Sequence, residues 1–155
     1  MSITPKNGPH VCILLLAIFS MLFAYFVEYI MSLAVCPLCV YQRFPYLILF
    51  MIALTGLSSN RKLTSFYLVT ILTSILLAGY HTGVERGIFA LSSVCKPLMH
   101  VSDNLSIVDF KKMLYNDQMG MCNKPALVIF GLSMTEWNLL LNITLFAILI
   151  KQKIK

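Results

Sequence analysis

The sequence predicts an all-α integral membrane protein: a four-transmembrane-helix bundle with one long outer loop that carries a short amphipathic helix. Three observations lead there. Of 155 residues, 59% are hydrophobic and only 12% charged, and the mean hydropathy is +0.83, far from the balance of a soluble domain. The apolar residues collect into stretches of the length that a hydrocarbon core about 30 Å thick demands. Lysines and arginines without acidic neighbours gather in the short polar breaks on one side.

The first span, 10–29, starts at His10 and meets no charge before Glu28. Lys6 ahead of it and Ser32-Leu33-Ala34-Val35 behind it raise the possibility of a cleaved leader, but Val35 is not the small residue that cleavage prefers and the apolar run exceeds a leader's core. The second span, 40–59, opens on Arg43 and Pro45, an interfacial anchor and a proline of the kind tolerated near a helix start. The third, 63–80, has no charge after its start, and Gly79-Tyr80-His81 marks an abrupt change of composition. The fourth, 134–150, has an uncharged, mainly apolar part of only about 14 residues from Trp137 to Ile150. Trp137 at one end and Lys151, Lys153 and Lys155 at the other are the interface anchors that assign it to the membrane. The chain is thus a single membrane domain over 1–155 with outer loops at 30–39 and 81–133.

Charge orients the bundle. Lys6, Arg61, Lys62, Lys151, Lys153 and Lys155 lie on one side with no acidic residue among them, so the formal excess of +6 sits there. The positive-inside tendency makes that face cytoplasmic, with both termini inside. The basic balance therefore reports topology and gives no reason to expect nucleic acid. Tyr25, Tyr29, Tyr41, Tyr46, Tyr80 and Trp137 gather toward the opposite boundary as an aromatic belt.

With that orientation Cys36, Cys39, Cys95 and Cys122 face the oxidising side, while Cys12 reads as a small buried apolar residue in the first span. A zinc set is disfavoured because Cys95 and Cys122 stand 27 positions apart instead of forming a second close pair, and no metal is expected. Haem attachment needs histidine after the second cysteine, and Val40 stands there. Two inert structural disulfides remain a possibility, and one in the long loop would contribute about 2–4 kcal/mol. A redox role fits the first pair better. Pro37 suits the first helical position, which puts Cys36 at the cap and Cys39 in the first turn, where backbone N–H groups favour thiolate. Arg43 is one helical turn beyond Cys39, placed to stabilise a thiolate. A dithiol at that depth has a lipid-soluble oxidant, a membrane quinone, as its natural electron acceptor.

In the long loop, Ser106-Ile-Val-Asp109 reads as a capping box, and Ile107, Phe110, Met113 and Leu114 recur at helical spacing. A short helix lying on the outer leaflet or packed on the spans is the expectation.

These residues, Cys36-Pro-Leu-Cys39-Val-Tyr-Gln-Arg43, Gly79-Tyr-His81-Thr-Gly-Val-Glu85, Cys95, Cys122 and Phe130-Gly-Leu-Ser-Met-Thr-Glu-Trp137, together resemble the bacterial disulfide bond formation protein B (DsbB) family over essentially the full length. The resemblance implies a quinone-dependent thiol oxidase of the bacterial inner membrane, a thiol:quinone oxidoreductase using ubiquinone or menaquinone. It implies that Cys95 and Cys122 oxidise a periplasmic thioredoxin-fold partner resembling DsbA, with Cys95 the site of the mixed disulfide. Electrons would then reach Cys36 and Cys39 through a transient Cys36–Cys122 bridge, leaving Cys39 as the thiolate that faces quinone. Arg43 would help hold the quinone. His81 and Glu85, one turn apart at the outer mouth of the third span, would either line its site or assist proton movement, or else only cap the interface and contact one another. A DsbA-like partner is itself a strong oxidant, at about −120 mV, so its acceptor must be more oxidising still. Thr135 and Glu136 depart from the family pattern, which often has proline before the tryptophan. The rival readings are an enzyme dedicated to one partner, one running toward reduction, and a non-catalytic scaffold stapled by stable bridges.

Overall fold

The computed structural model describes residues 8–59, 63–90, 95 and 120–154. Four helices long and apolar enough to cross a membrane are present among them: Gly8–Ile30, Pro37–Ser59, Thr64–Glu85 and Met134–Lys151. The amphipathic helix expected around 106–114 lies outside the described residues.

Helix α1 (Gly8–Tyr25) runs on into one π-helical turn, Phe26–Ile30. A short helix α2 (Pro37–Tyr41) leads through Gln42 into α3 (Arg43–Ser59). Helix α4 spans Thr64–Glu85, and α5 spans Met134–Ile154. Between α4 and α5 a small antiparallel hairpin pairs β1 (Val128–Ile129) with β2 (Leu132–Ser133). Its two-residue turn, Phe130-Gly131, has φ of 53° and 80°, the doubly left-handed form that matches strand twist in tight hairpins.

Helix α1 packs along α3, and α4 packs along α5. Ala17, Leu49, Ala53, Tyr67 and Ile71 are the most buried residues of the apolar core between them. Phe19, Leu22, Val69 and Leu76 point outward and are each more than 60% exposed. Such ridges of bare aliphatic surface would be costly in water and are the ordinary complement of lipid tails. Ala53 and Gly56 let α1 and α3 come close: a Cβ on Gly56 would stand 2.5 Å from His10 Nδ1. That same His10 nitrogen is hydrogen-bonded to the Tyr67 hydroxyl at 2.7 Å, so α1, α3 and α4 lock together at the end of the bundle where α1 begins.

Two expectations are corrected. Cys12 is exposed on the outside of α1, because His10, Ile13 and Ala17 take the inward face of that helix. The third helix does not stop at Tyr80 with a loop from position 81. It continues to Glu85, because His81, Gly83 and Val84 are buried against neighbouring elements instead of being released to the surface. It ends where Gly87, at φ 71°, reverses the chain and Ile88 N–H donates to Gly83 O at 2.8 Å.

Candidate active site

Local chemistry builds the dithiol from its own octapeptide. Cys36 has extended backbone angles and caps α2, with Pro37 at the first helical position, and its sulfur accepts the Cys39 backbone N–H at 3.2 Å. This is the arrangement in which a cap sulfur takes one of the otherwise unpaired first-turn N–H groups. The Cys39 Sγ lies 2.8 Å from the Cys36 Sγ, and both cysteines are free.

The second pair is a closed disulfide, Cys95–Cys122, with Cα atoms 5.8 Å apart. It packs in one cluster with Cys36, Leu38 and Val84, with Cys39 and Tyr80 against them, so all four cysteines singled out by the sequence meet at one end of the bundle. Gly120 makes that meeting possible. Its N–H donates to Val35 O at 3.2 Å, and a Cβ there would stand 2.4 Å from Ala34 O and 3.2 Å from Cys36 N. Only a residue without a side chain lets the backbone at Gly120 cross so closely over the approach to Cys36.

His81 extends from α4 beneath the dithiol, 1% exposed, with Nε2 at 3.4 Å from Cys36 Sγ. Glu85, one turn on, holds an oxygen 3.7 Å from the same nitrogen. That carboxylate accepts from Thr135 Oγ1 at 2.9 Å and from Ser133 Oγ at 2.6 Å. The sulfurs of Cys36 and Cys39 and a ring nitrogen of His81 lie within 4.8 Å of one another, a donor set of the kind that thiophilic cations take. The Cys36 thiol is pushed down from 9.0 to about 5. The hydrogen bond with the Cys39 side chain contributes most, burial opposes it, and His81 and the Cys39 backbone N–H add to it.

Arg43 is placed otherwise than its spacing suggested. Its guanidinium pairs with Glu28 at 2.6 Å and lies over the Tyr25 ring, 5.1 Å from the centroid. The interruption of the helix at Gln42 turns it toward the π-helical turn of the first span, and the lowering at Cys36 comes from Cys39 and His81 instead. Arg43 and Cys39 nevertheless share the wall of one largely apolar cavity of about 540 Å³, together with Tyr46, Glu85 and Trp137.

Several site residues were not singled out from the sequence. Ser133 and Glu136 form a reciprocal cap on α5: Glu136 N–H donates to Ser133 Oγ at 3.2 Å, and Ser133 N–H donates to Glu136 Oε2 at 2.9 Å. The Ser-x-x-Glu spacing was the available signal. Gln42, Asn138 and Asn142, the first and last buried and Asn138 half-buried, form a polar chain next to His81. Their signal was amide side chains inside apolar spans, the two asparagines one turn apart on one face.

A bundle of four membrane-crossing helices with a closed disulfide, a free dithiol and a buried histidine at one end defines a class: a multi-pass membrane protein built for thiol–disulfide chemistry. Residues 7–152 match the family described as disulfide bond formation protein DsbB, and the chain belongs to that family. It is a membrane protein of disulfide bond formation, with an oxidoreductase role in that process. A protein of Rickettsia prowazekii (strain Madrid E), described as uncharacterized protein RP370, is 47% identical over 129 residues, which cover 81% of this chain and 75% of its own length. Disulfide bond formation protein B 1 of Pseudomonas fluorescens (strain Pf0-1) is 26% identical over 121 residues, 75% of this chain and 70% of its own.

Proposed function

We propose that the chain is a thiol:quinone oxidoreductase of the bacterial inner membrane that reoxidises a periplasmic DsbA-like thiol oxidase and passes the electrons to ubiquinone or menaquinone. The observation that carries this reading is the gathering of a closed disulfide, an open dithiol and a wide apolar cavity at one end of the bundle. Both termini and the basic residues Arg61 and Lys62 are cytoplasmic on this reading, and Cys36, Cys39, Cys95 and Cys122 periplasmic.

A reduced partner's thiolate attacks the Cys95–Cys122 disulfide at Cys95, forming a mixed disulfide and releasing the Cys122 thiolate. The partner's second thiolate then attacks its own sulfur in that mixed disulfide and leaves oxidised, with Cys95 and Cys122 now reduced. When the Cys36–Cys39 pair is itself a disulfide, the Cys122 thiolate attacks Cys36 and displaces the Cys39 sulfur. Attack by Cys95 on Cys122 then restores the outer disulfide and frees Cys36, so two electrons have moved inward and Cys36 and Cys39 are left reduced. That is the redox state of both pairs here.

The cavity fits an isoprenoid-bearing ring: its volume lies in the range of small-molecule sites, its walls are apolar, and Cys39 and Arg43 stand on one side. Bound quinone supplies an acceptor for two electrons and two protons. Arg43, held by Glu28, would offer it a fixed cation, Trp137 and Tyr46 would give it flat apolar surface, and Cys36 and Cys39 would be the thiols it oxidises to a disulfide. His81 would hold the Cys36 sulfur, and the Glu85 carboxylate beside it would take up protons leaving the thiols.

Purified protein is mixed with a reduced thioredoxin-fold dithiol protein and a short-chain ubiquinone, and loss of quinone absorbance is followed. Turnover that disappears in Cys39→Ser and in Cys95→Ser supports the reading. Absence of quinone reduction by the wild-type protein with either quinone class would leave the scaffold reading in its place.

A further inference from the structure

The amide side chains inside the spans have no part in the electron route just described, yet they are costly there. Asn142 is fully buried in α5, and Gln42 is 8% exposed. Intramembrane polar groups of this kind generally carry function, and here their hydrogen bonds have a definite direction that can be followed atom by atom.

The direction starts at a backbone carbonyl. Asn142 Nδ2 lies 2.8 Å from the backbone oxygen of Asn138. A carbonyl only accepts, so the Asn142 atom facing it must be the amide nitrogen. That nitrogen is also 2.9 Å from the Asn138 side chain, and the Tyr46 hydroxyl donates to the same Asn138 atom, which must therefore be oxygen. The Asn138 nitrogen then points the other way and donates to Gln42 Oε1 at 3.1 Å. Gln42 in turn presents its nitrogen to His81 Nδ1 at 3.1 Å. An amide N–H cannot accept, so Nδ1 offers a lone pair and the proton of the neutral ring is on Nε2, facing Cys36 Sγ at 3.4 Å.

We propose that Asn142, Asn138 and Gln42 are positioning residues that fix the tautomer of His81, so that its Nε2–H donates to the sulfur of Cys36. The inference rests on Cys36 being a working sulfur of the proposed enzyme, but the tautomer is a property of the resting protein and is read without turnover. A donor at that point favours the thiolate form of Cys36, where a bare ring nitrogen would repel it. Amide groups aligned in series also polarise one another in a low-dielectric surrounding, so the far end of the chain matters to the near one.

The other groups around the ring are Glu85, Thr135 and Cys39. The Glu85 carboxylate, 3.7 Å from Nε2, favours a proton on that side. Thr135 gives its own proton to Glu85 and keeps a lone pair 3.4 Å from Nδ1, which is the acceptor the opposite tautomer would use. Gln42, nearer at 3.1 Å, decides between them. Cys39 lies beyond Cys36, 2.8 Å from it, and bonds to sulfur alone.

The test is 15N NMR of histidine-labelled, reduced protein in lipid nanodiscs. The chain has three histidines, and the His81 resonances are those lost in His81→Gln. The expected spectrum has a protonated Nε2 and a bare Nδ1. Asn138→Asp keeps the shape and still accepts from Tyr46 and Asn142, but the new carboxylate also needs a donor from Gln42. Gln42 then turns its oxygen to His81, and the proton moves to Nδ1. Alkylation of Cys36 should shift its pH midpoint upward in that variant by about one unit, the scale of one hydrogen bond to an ionised group. A wild-type spectrum with the proton on Nδ1 overturns the proposal, as does a folded Asn138→Asp protein whose Nε2–H signal is unchanged. If that variant does not fold, the wild-type spectrum alone decides.

Discussion

Cys36 concentrates most of the site's electrostatics in one atom. Its sulfur meets the Cys39 side chain, the Cys39 backbone N–H and His81, and together these outweigh burial and hold the thiol at about 5. Alkylation of reduced Cys36 by a small iodoacetamide should therefore rise through a midpoint near that value. In His81→Phe the ring nitrogen is lost while burial remains, and the midpoint should move toward 9.0. Mass spectrometry of the modified cysteine as a function of pH checks both, and an unmoved midpoint in His81→Phe would remove His81 from the account. The sign for stability follows from a depressed pKa. The contribution is complete above the unfolded value of 9.0 and is lost as pH falls toward about 5. The Cys-Pro-x-Cys geometry was legible because a cap, a proline and a first-turn cysteine are all local rules. The resemblance put the ionised sulfur at Cys39 and the spacing gave it Arg43 as a neighbour. In the reduced pair seen here the Cys39 side chain, and after it His81 from α4, favour charge on Cys36, and Glu28 engages the guanidinium. Neither effect is visible in a spacing.

Elements meet at this site through two devices that a local reading treats differently. The Ser133/Glu136 capping box obeys a four-residue rule, and its spacing was there to be read; Ser133→Ala should cost about 1 kcal/mol through the lost cap. It should also free Glu85, to which the Ser133 hydroxyl donates at 2.6 Å. A lowered thermal midpoint in detergent measures the first effect, and restoration by Ser133→Thr would identify the hydroxyl as the cause. Gly120 is different, because its requirement comes from Ala34, 86 positions earlier in the chain. Gly120→Ala would drive a methyl group to 2.4 Å from a backbone oxygen that has no flexible end to move aside, so the segment carrying Cys122 must lift from Cys36. Single-turnover transfer from the Cys95/Cys122 pair to Cys36 and Cys39 should slow by up to about a hundredfold, since displacement of about 1 Å at a reacting centre has that order of effect. The Cys95–Cys122 disulfide should still form. An unchanged rate would show that the crossing does not set the distance between the two pairs.

On the scale of the whole molecule, the two ends of the bundle have separate duties. The four spans were legible because bilayer thickness imposes a length that hydropathy reads directly, and the ends of α1 and α3 fall close to the expected boundaries. The end of α4 was not, because His81 and Glu85 are polar in type yet held by tertiary contacts with Cys36, Gln42 and Thr135. At the opposite end His10, Gly56 and Tyr67 join three helices with no redox group among them. The 23-residue helix Gly8–Ile30 separates these ends by about 35 Å at 1.5 Å per residue. Energetic effects at sites so far apart are generally additive. Gly56→Val places its first carbon 2.5 Å from His10 Nδ1, so either the His10–Tyr67 hydrogen bond breaks or α1 moves off α3. Overpacking of this kind typically costs about 1–3 kcal/mol. The variant should therefore melt at a lower temperature in nanodiscs while the Cys36 alkylation midpoint stays where it is in the wild type. A shift of that midpoint together with the melting temperature would mean that helix packing at the far end reaches the dithiol, and that the bundle responds as one rigid unit.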